Sequence, residues 1–134
     1  MKKDIEIPVM KDVAVAIVNE KNELNQDEWN AYLVNLKEHA IEGVLVSSRG
    51  YGEIDHEQRK TSELRHFLDK VAAKSFAKIE PVMENVFPLN NEYWVSFFLE
   101  DKMYDKKFIF LSETIKEENF VKIPLLNKKG VMIL

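Results

Sequence analysis

The chain has 134 residues, 46% of them hydrophobic and 31% charged, with a net charge of −4 and no cysteine. A chain of this length forms one domain that buries roughly 65–70% of its unfolded surface without a covalent staple, and the composition is that of a globular protein rather than a disordered one. The lack of cysteine excludes disulfides, thiolate metal sites and cysteine nucleophiles, and the acidic balance argues against general nucleic-acid binding, which calls for a basic face.

The opening Met1-Lys2-Lys3-Asp4-Ile5-Glu6-Ile7-Pro8 places acids and a proline where a signal peptide needs an apolar core. The longest apolar run, Val13 to Val18, falls far short of the ~20 residues that span a bilayer, so a cytoplasmic location without membrane contact is expected. In that run Val13, Val15 and Ile17 alternate with Ala14, Ala16 and Val18, the period of a strand. Its small alanine face invites the close approach of another element, such as a helix. Residues 21 to 28 read as a polar loop. Trp29 to Leu36 fits two readings: Trp29, Tyr32, Leu33 and Leu36 have helical spacing, whereas Tyr32, Val34 and Leu36 alternate among aromatic and β-branched neighbours, and the strand is favoured.

Gly43 opens a second strand, Val44 to Ser48, and Gly50-Tyr51-Gly52 predicts a sharp exit from the sheet. Leu64, Phe67, Leu68 and Val71 then recur at i, i+3, i+4 and i+7, which predicts a helix capped by Thr61 or Ser62. Phe76 to Ile79 and Val82 to Phe87 are strand-like, divided at Pro81, which belongs at an edge or break. Tyr93 to Leu99 and Tyr104 to Leu111 predict a hairpin around Glu100-Asp101-Lys102. Residues 112 to 122 read as a short helix or turn, followed by a Lys128-Lys129-Gly130 turn and a strand from Val131 to Leu134. The expected fold is a single α+β domain over 1–134, a mainly antiparallel curled sheet of six to seven strands on one principal helix.

The phrases Trp29 to Leu36, Val44 to Gly52, Lys60 to Phe67, Lys106 to Phe110 and Gly130 to Ile133 resemble small uncharacterised proteins of Bacteroidetes-type bacteria. The resemblance spans most of the chain and implies no activity, cofactor or site residue.

All three arginines, two of the four glycines and two of the three histidines fall between Arg49 and His66. Arginine presents a planar fork of donors that suits carboxylates and phosphates. Arg49, Gly50, Gly52, Arg59 and Arg65 are therefore the candidate anion-binding residues, for a phosphate or carboxylate small molecule. The competing reading is local pairing, because Glu53, Asp55, Glu57 and Glu63 balance Arg49, Arg59, Lys60 and Arg65. Gly50-Tyr51-Gly52 lacks the third glycine of a dinucleotide fingerprint, and no Walker lysine follows. His56 and His66 stand ten residues apart across a loop rather than at i, i+4, and Ser47 and Ser48 lack the flanking glycines of a nucleophile elbow. No catalytic residue, metal site or cofactor is expected. Tyr93, Trp94, Phe98, Tyr104 and Phe110 put apolar side chains on both faces of the hairpin, more than one helix can cover. They form the candidate surface for self-association, as a twofold homodimer, or for a protein partner. The leading expectation is a small non-enzymatic interaction protein. The alternative is an enzyme or ligand-binding protein that uses the Arg49–Arg65 segment on an anionic small molecule.

Overall fold

The computed structural model describes residues 9–134. Among these residues the fold is all β, with ten strands and no α-helix; the helical content is two three-residue 3₁₀ turns at Glu84–Val86 and Glu117–Asn119. This corrects the α+β expectation and the single curled sheet. The strands are β1 (Val13–Lys21), β2 (Asp27–Asn35), β3 (Ile41–Ile54), β4 (Glu57–Lys60), β5 (Leu64–Val71), β6 (Ser75–Val82), β7 (Asn90–Leu99), β8 (Lys102–Phe110), β9 (Val121–Ile123) and β10 (Lys128–Ile133). They form two antiparallel five-stranded sheets. Sheet A has the order β6-β2-β1-β10-β9; sheet B has β4-β3-β7-β8, with β5 sharing the β4 edge of β3.

The expected principal helix is strand β5. Its apolar residues do not share a face: Phe67 pairs with Leu45 and Arg65 with Ser47 on the outer face, whereas His66 pairs with Val46 on the inner one. A bulge at Asp69, whose φ is 61°, then shifts the register so that Val71 opposes Ile41 and is buried. A strand with a bulge thus reproduces a helical spacing by accident. The expected exit at Gly50-Tyr51-Gly52 does not occur either. β3 runs through it, paired on one side to Asn90 and Asn91 and on the other to Arg59 and Lys60, and turns at Asp55-His56. That turn and Glu100-Asp101 have positive φ at both central residues, the two-residue hairpin geometry that matches strand twist. Val82 to Phe87 is not a strand beyond Val82, the turn before β10 is Pro124 to Asn127, and Pro81 lies in an edge strand.

Two cores hold the sheets. Val13, Val15, Ile17 and Leu33 of sheet A meet Val46, Tyr93, Val95, Phe97 and Phe108 of sheet B between the layers. On the outer side of sheet A, Ala14, Ala16, Val18 and Val34 pack with Ile123, Leu125 and Leu126. The small alanine face is therefore covered by the β9–β10 connection and not by a helix. This second layer explains why six consecutive residues of β1 are buried.

Candidate functional site

The structure scatters the candidate anion residues. Arg49 lies on the outer face of sheet B, where the β3–β7 register sets it opposite Glu92. Its Nε donates to Glu92 Oε2 at 3.0 Å and Nη2 to Oε1 at 3.4 Å, and its guanidinium lies 5.3 Å from the Tyr51 ring centre. Glu92 has only 6% of its side chain exposed. The hydrogen bond and attraction of that carboxylate, with a smaller pull from Glu63, hold the Arg49 guanidinium above its ordinary value. Its fork is filled by the protein itself. Arg59 pairs with Glu57, two residues before it on β4, both exposed. Arg65 borders a shallow outer groove with Ser47 and Trp94. Gly50 and Gly52 are strand residues packed under Leu89, and Gly50 N–H donates to Thr61 Oγ1 at 2.8 Å. The three arginines do not share a pocket: Arg49 lines one cavity, Arg65 another, and Arg59 neither.

The aromatic candidates divide by strand alternation. Tyr93 and Phe110 point between the sheets and pack edge to face. Tyr104 stacks on the buried Phe97 at 5.4 Å. Trp94 and Phe98 point outward. Around them the outer face of sheet B carries Phe67 of β5, Leu45 of β3 and Met103 of β8, and all five side chains are 36–66% exposed. Register places Leu45 beside Phe67 and Phe98 beside Met103, so the patch crosses four neighbouring strands. Lys107 Nζ stands 4.9 Å from the Trp94 ring centre, and Arg65 and Asp105 border the same groove. Sequence reading found Trp94 and Phe98 but missed Leu45, Phe67 and Met103, because Phe67 was assigned to a buried helix face.

Two polar clusters were also missed. On the outer face of sheet A, Glu20 has only 7% of its side chain exposed and accepts hydrogen bonds from Tyr32 OH at 2.7 Å, from Asn30 Nδ2 and from Lys128 Nζ. Between the sheets, Glu80 gathers Ser48, His66 and Tyr93. A broad cleft of about 830 Å³ lies under the β1–β2 hairpin, where Trp29 packs edge to face on Phe87 and Phe120. Among the described residues no group of three or more His, Asp or Glu side chains is placed to hold a metal ion, and no helix is long and apolar enough to cross a membrane. No protein-family profile matches the chain, and no curated protein or solved structure matches it significantly.

Proposed function

We infer that the chain is a small cytoplasmic, non-enzymatic interaction module that self-associates through the outer face of sheet B. The observation that carries this reading is the patch of Leu45, Phe67, Trp94, Phe98 and Met103, five large apolar side chains exposed on four adjacent strands. Scattered exposed apolar residues are normal, but a continuous patch rimmed by charge is the mark of a protein contact. Strand and residue spacings give such a four-strand face an extent of about 300 Å², the apolar centre for the ~800 Å² that each partner contributes to a standard interface. Trp94 anchors one end of it, in a row with Arg65, Ser47 and Lys107, and tryptophan and arginine are the side chains that dominate binding energy. Arg65, Lys107 and Asp105 put both signs of charge around the patch. A second copy can therefore meet it with opposite charges, as a twofold contact between identical surfaces requires.

Light scattering and sedimentation across micromolar concentrations test the proposal. The expected mass is twice the 15.7 kDa of one chain, and Trp94→Glu should return it to a monomer that keeps the parent's far-UV circular dichroism and a cooperative melt. A monomer at every concentration, or a dimer indifferent to Trp94→Glu, would overturn it.

A further inference from the structure

We propose a second site, independent of the dimer face: the cavity at the edge between β5 and β6 binds a small primary amine with an apolar body, its ammonium held by Glu80. The cavity encloses about 240 Å³, below the ~300–1,000 Å³ of pockets for drug-sized ligands and suited to something of amino-acid size. Ser48, Glu80 and Tyr93 line its inner end, Thr61, Ser62, Asn85 and Asn91 add neutral polar groups, and its apolar lining includes Leu64, Pro81, Val82, Met83 and Val86.

The carboxylate is built into place from four strands. Ser48 Oγ on β3 donates to Glu80 Oε1 at 2.7 Å, and His66 Nε2 on β5 meets the same oxygen at 2.7 Å. Tyr93 OH on β7 donates to Oε2 at 3.3 Å, a long bond. A carboxylate offers about four acceptor positions. Three are occupied, two of them on Oε1, so the open one is on Oε2, the oxygen with the weaker partner. Tyr93 is 2% exposed, and burial, followed by the Glu80 charge, pushes its phenol well above the ordinary tyrosine value. It therefore remains a donor and does not compete as an anion.

Charge decides what fills the open position. The cavity lining contains two charged residues, Glu80 and Arg49, and Arg49 is committed to Glu92 on the far face of β3. Glu80 is 13% exposed at its side chain, with two neutral hydroxyls and one imidazole as partners. A mostly buried carboxylate with an acceptor position left open on Oε2 suits a cation, and an ammonium supplies both the charge and three donors. An alcohol supplies one donor and no charge; a carboxylate ligand adds repulsion. Gly50 lets Thr61 close against β3, since a Cβ there would come within 3.1 Å of Thr61 Cγ2, and Thr61 in turn pins the β4–β5 link to β3.

Isoamylamine, isoamyl alcohol and isovalerate have similar apolar bodies and differ in the head group. Titrating each into the intact protein at pH 7, followed by amide chemical shifts and calorimetry, tests the assignment. Isoamylamine should bind at least tenfold more tightly than isoamyl alcohol, isovalerate should not bind, and shifts should concentrate at residues 48–50, 61–64 and 80–86. Glu80→Gln, close to the same shape, should cost the amine at least tenfold in affinity and leave the alcohol unchanged. An amine preference below tenfold in the parent protein, shifts centred elsewhere, or an unchanged affinity in a folded Glu80→Gln variant would each overturn the proposal. The first two criteria hold whether or not that variant folds.

Discussion

Gly130 occupies a place that no other residue can share. A Cβ on it would overlap the Ile17 carbonyl oxygen and stand 2.9 Å from Val18 Cα, both backbone atoms of the neighbouring strand. Backbone cannot step aside as a flexible side chain can, so Gly130→Ala should cost about 1–3 kcal/mol and lower the melting temperature by roughly 5–10 °C; a circular-dichroism melt that superimposes on the parent's would contradict the close approach. Glu20 makes a different prediction. Burial opposes its charge, but donors from Lys128, Tyr32 and Asn30 outweigh that and hold its carboxyl below the ordinary 4.5. A lowered carboxyl contributes stability that is complete above its unfolded value and disappears as pH falls through the folded one. The stability gap between the parent and Glu20→Gln should therefore be constant from pH 7 to 5 and close below 4.5; a gap of equal size at pH 3 would argue against an ionic role. Neither feature is legible in the sequence. The partners of Glu20 lie as far away as Lys128, and nothing near Arg49 names Glu92, 43 residues on. Of the pairings expected inside the arginine segment, the structure has Arg59 with Glu57, two residues apart and exposed on both sides.

At the scale of elements, short-range pattern succeeded where turns are tight and failed where a register shifts. The β7–β8 hairpin was readable because β-branched and aromatic residues flank a two-residue turn, and both faces of β1 were visible in its valine–alanine alternation. β5 was misread because a bulge at Asp69 moves Val71 to the inner face, while Phe67 stays outside. The two assignments differ in a measurable way. A helix would bury Phe67 and Val71 on one stripe, and truncating either would be costly. In a Trp94→Glu background, where the outer face of sheet B carries no dimer contact, the strand makes Phe67→Thr nearly neutral, within about 0.5 kcal/mol, and Val71→Ala costly by about 1–3 kcal/mol. Urea unfolding of the two variants separates these outcomes, and equal losses would restore the helix. The aromatic face was half legible: the hairpin pattern puts apolar side chains on both faces without separating the outward Trp94 and Phe98 from the inward Tyr93 and Phe110, and the neighbours Phe67 and Leu45 come from strands whose pairing is invisible until the sheet is assembled.

For the whole molecule the decisive arrangement is the middle of sheet A, where β1 lies between β2 and β10, and β10 carries β9. Val15, Ala16 and Ile17 pair with Ile133, Met132 and Val131. Removing residues 131 to 134 strips three of the four residue pairs from one edge of the central strand β1, so the truncated chain should be unfolded at room temperature by circular dichroism; a cooperative melt like that of the parent would show that β10 is dispensable. Such pairing between distant segments also places refolding in the range of about milliseconds to seconds typical of β-sandwiches. There is a consequence for how the chain is made. At a synthesis rate of about 5–20 residues per second, the ribosome needs on the order of ten seconds to travel from Val18 to its partner Gly130. β2 covers one edge of β1 early in that interval, and the other edge stays open until the last strand emerges. The exposed run Val13 to Val18 is apolar and β-branched, the kind of segment that seeks another nascent chain. Lys11 and Asp12 on one side and Glu20 and Lys21 on the other bracket it with charge, and such flanking residues act as gatekeepers against aggregation during the wait.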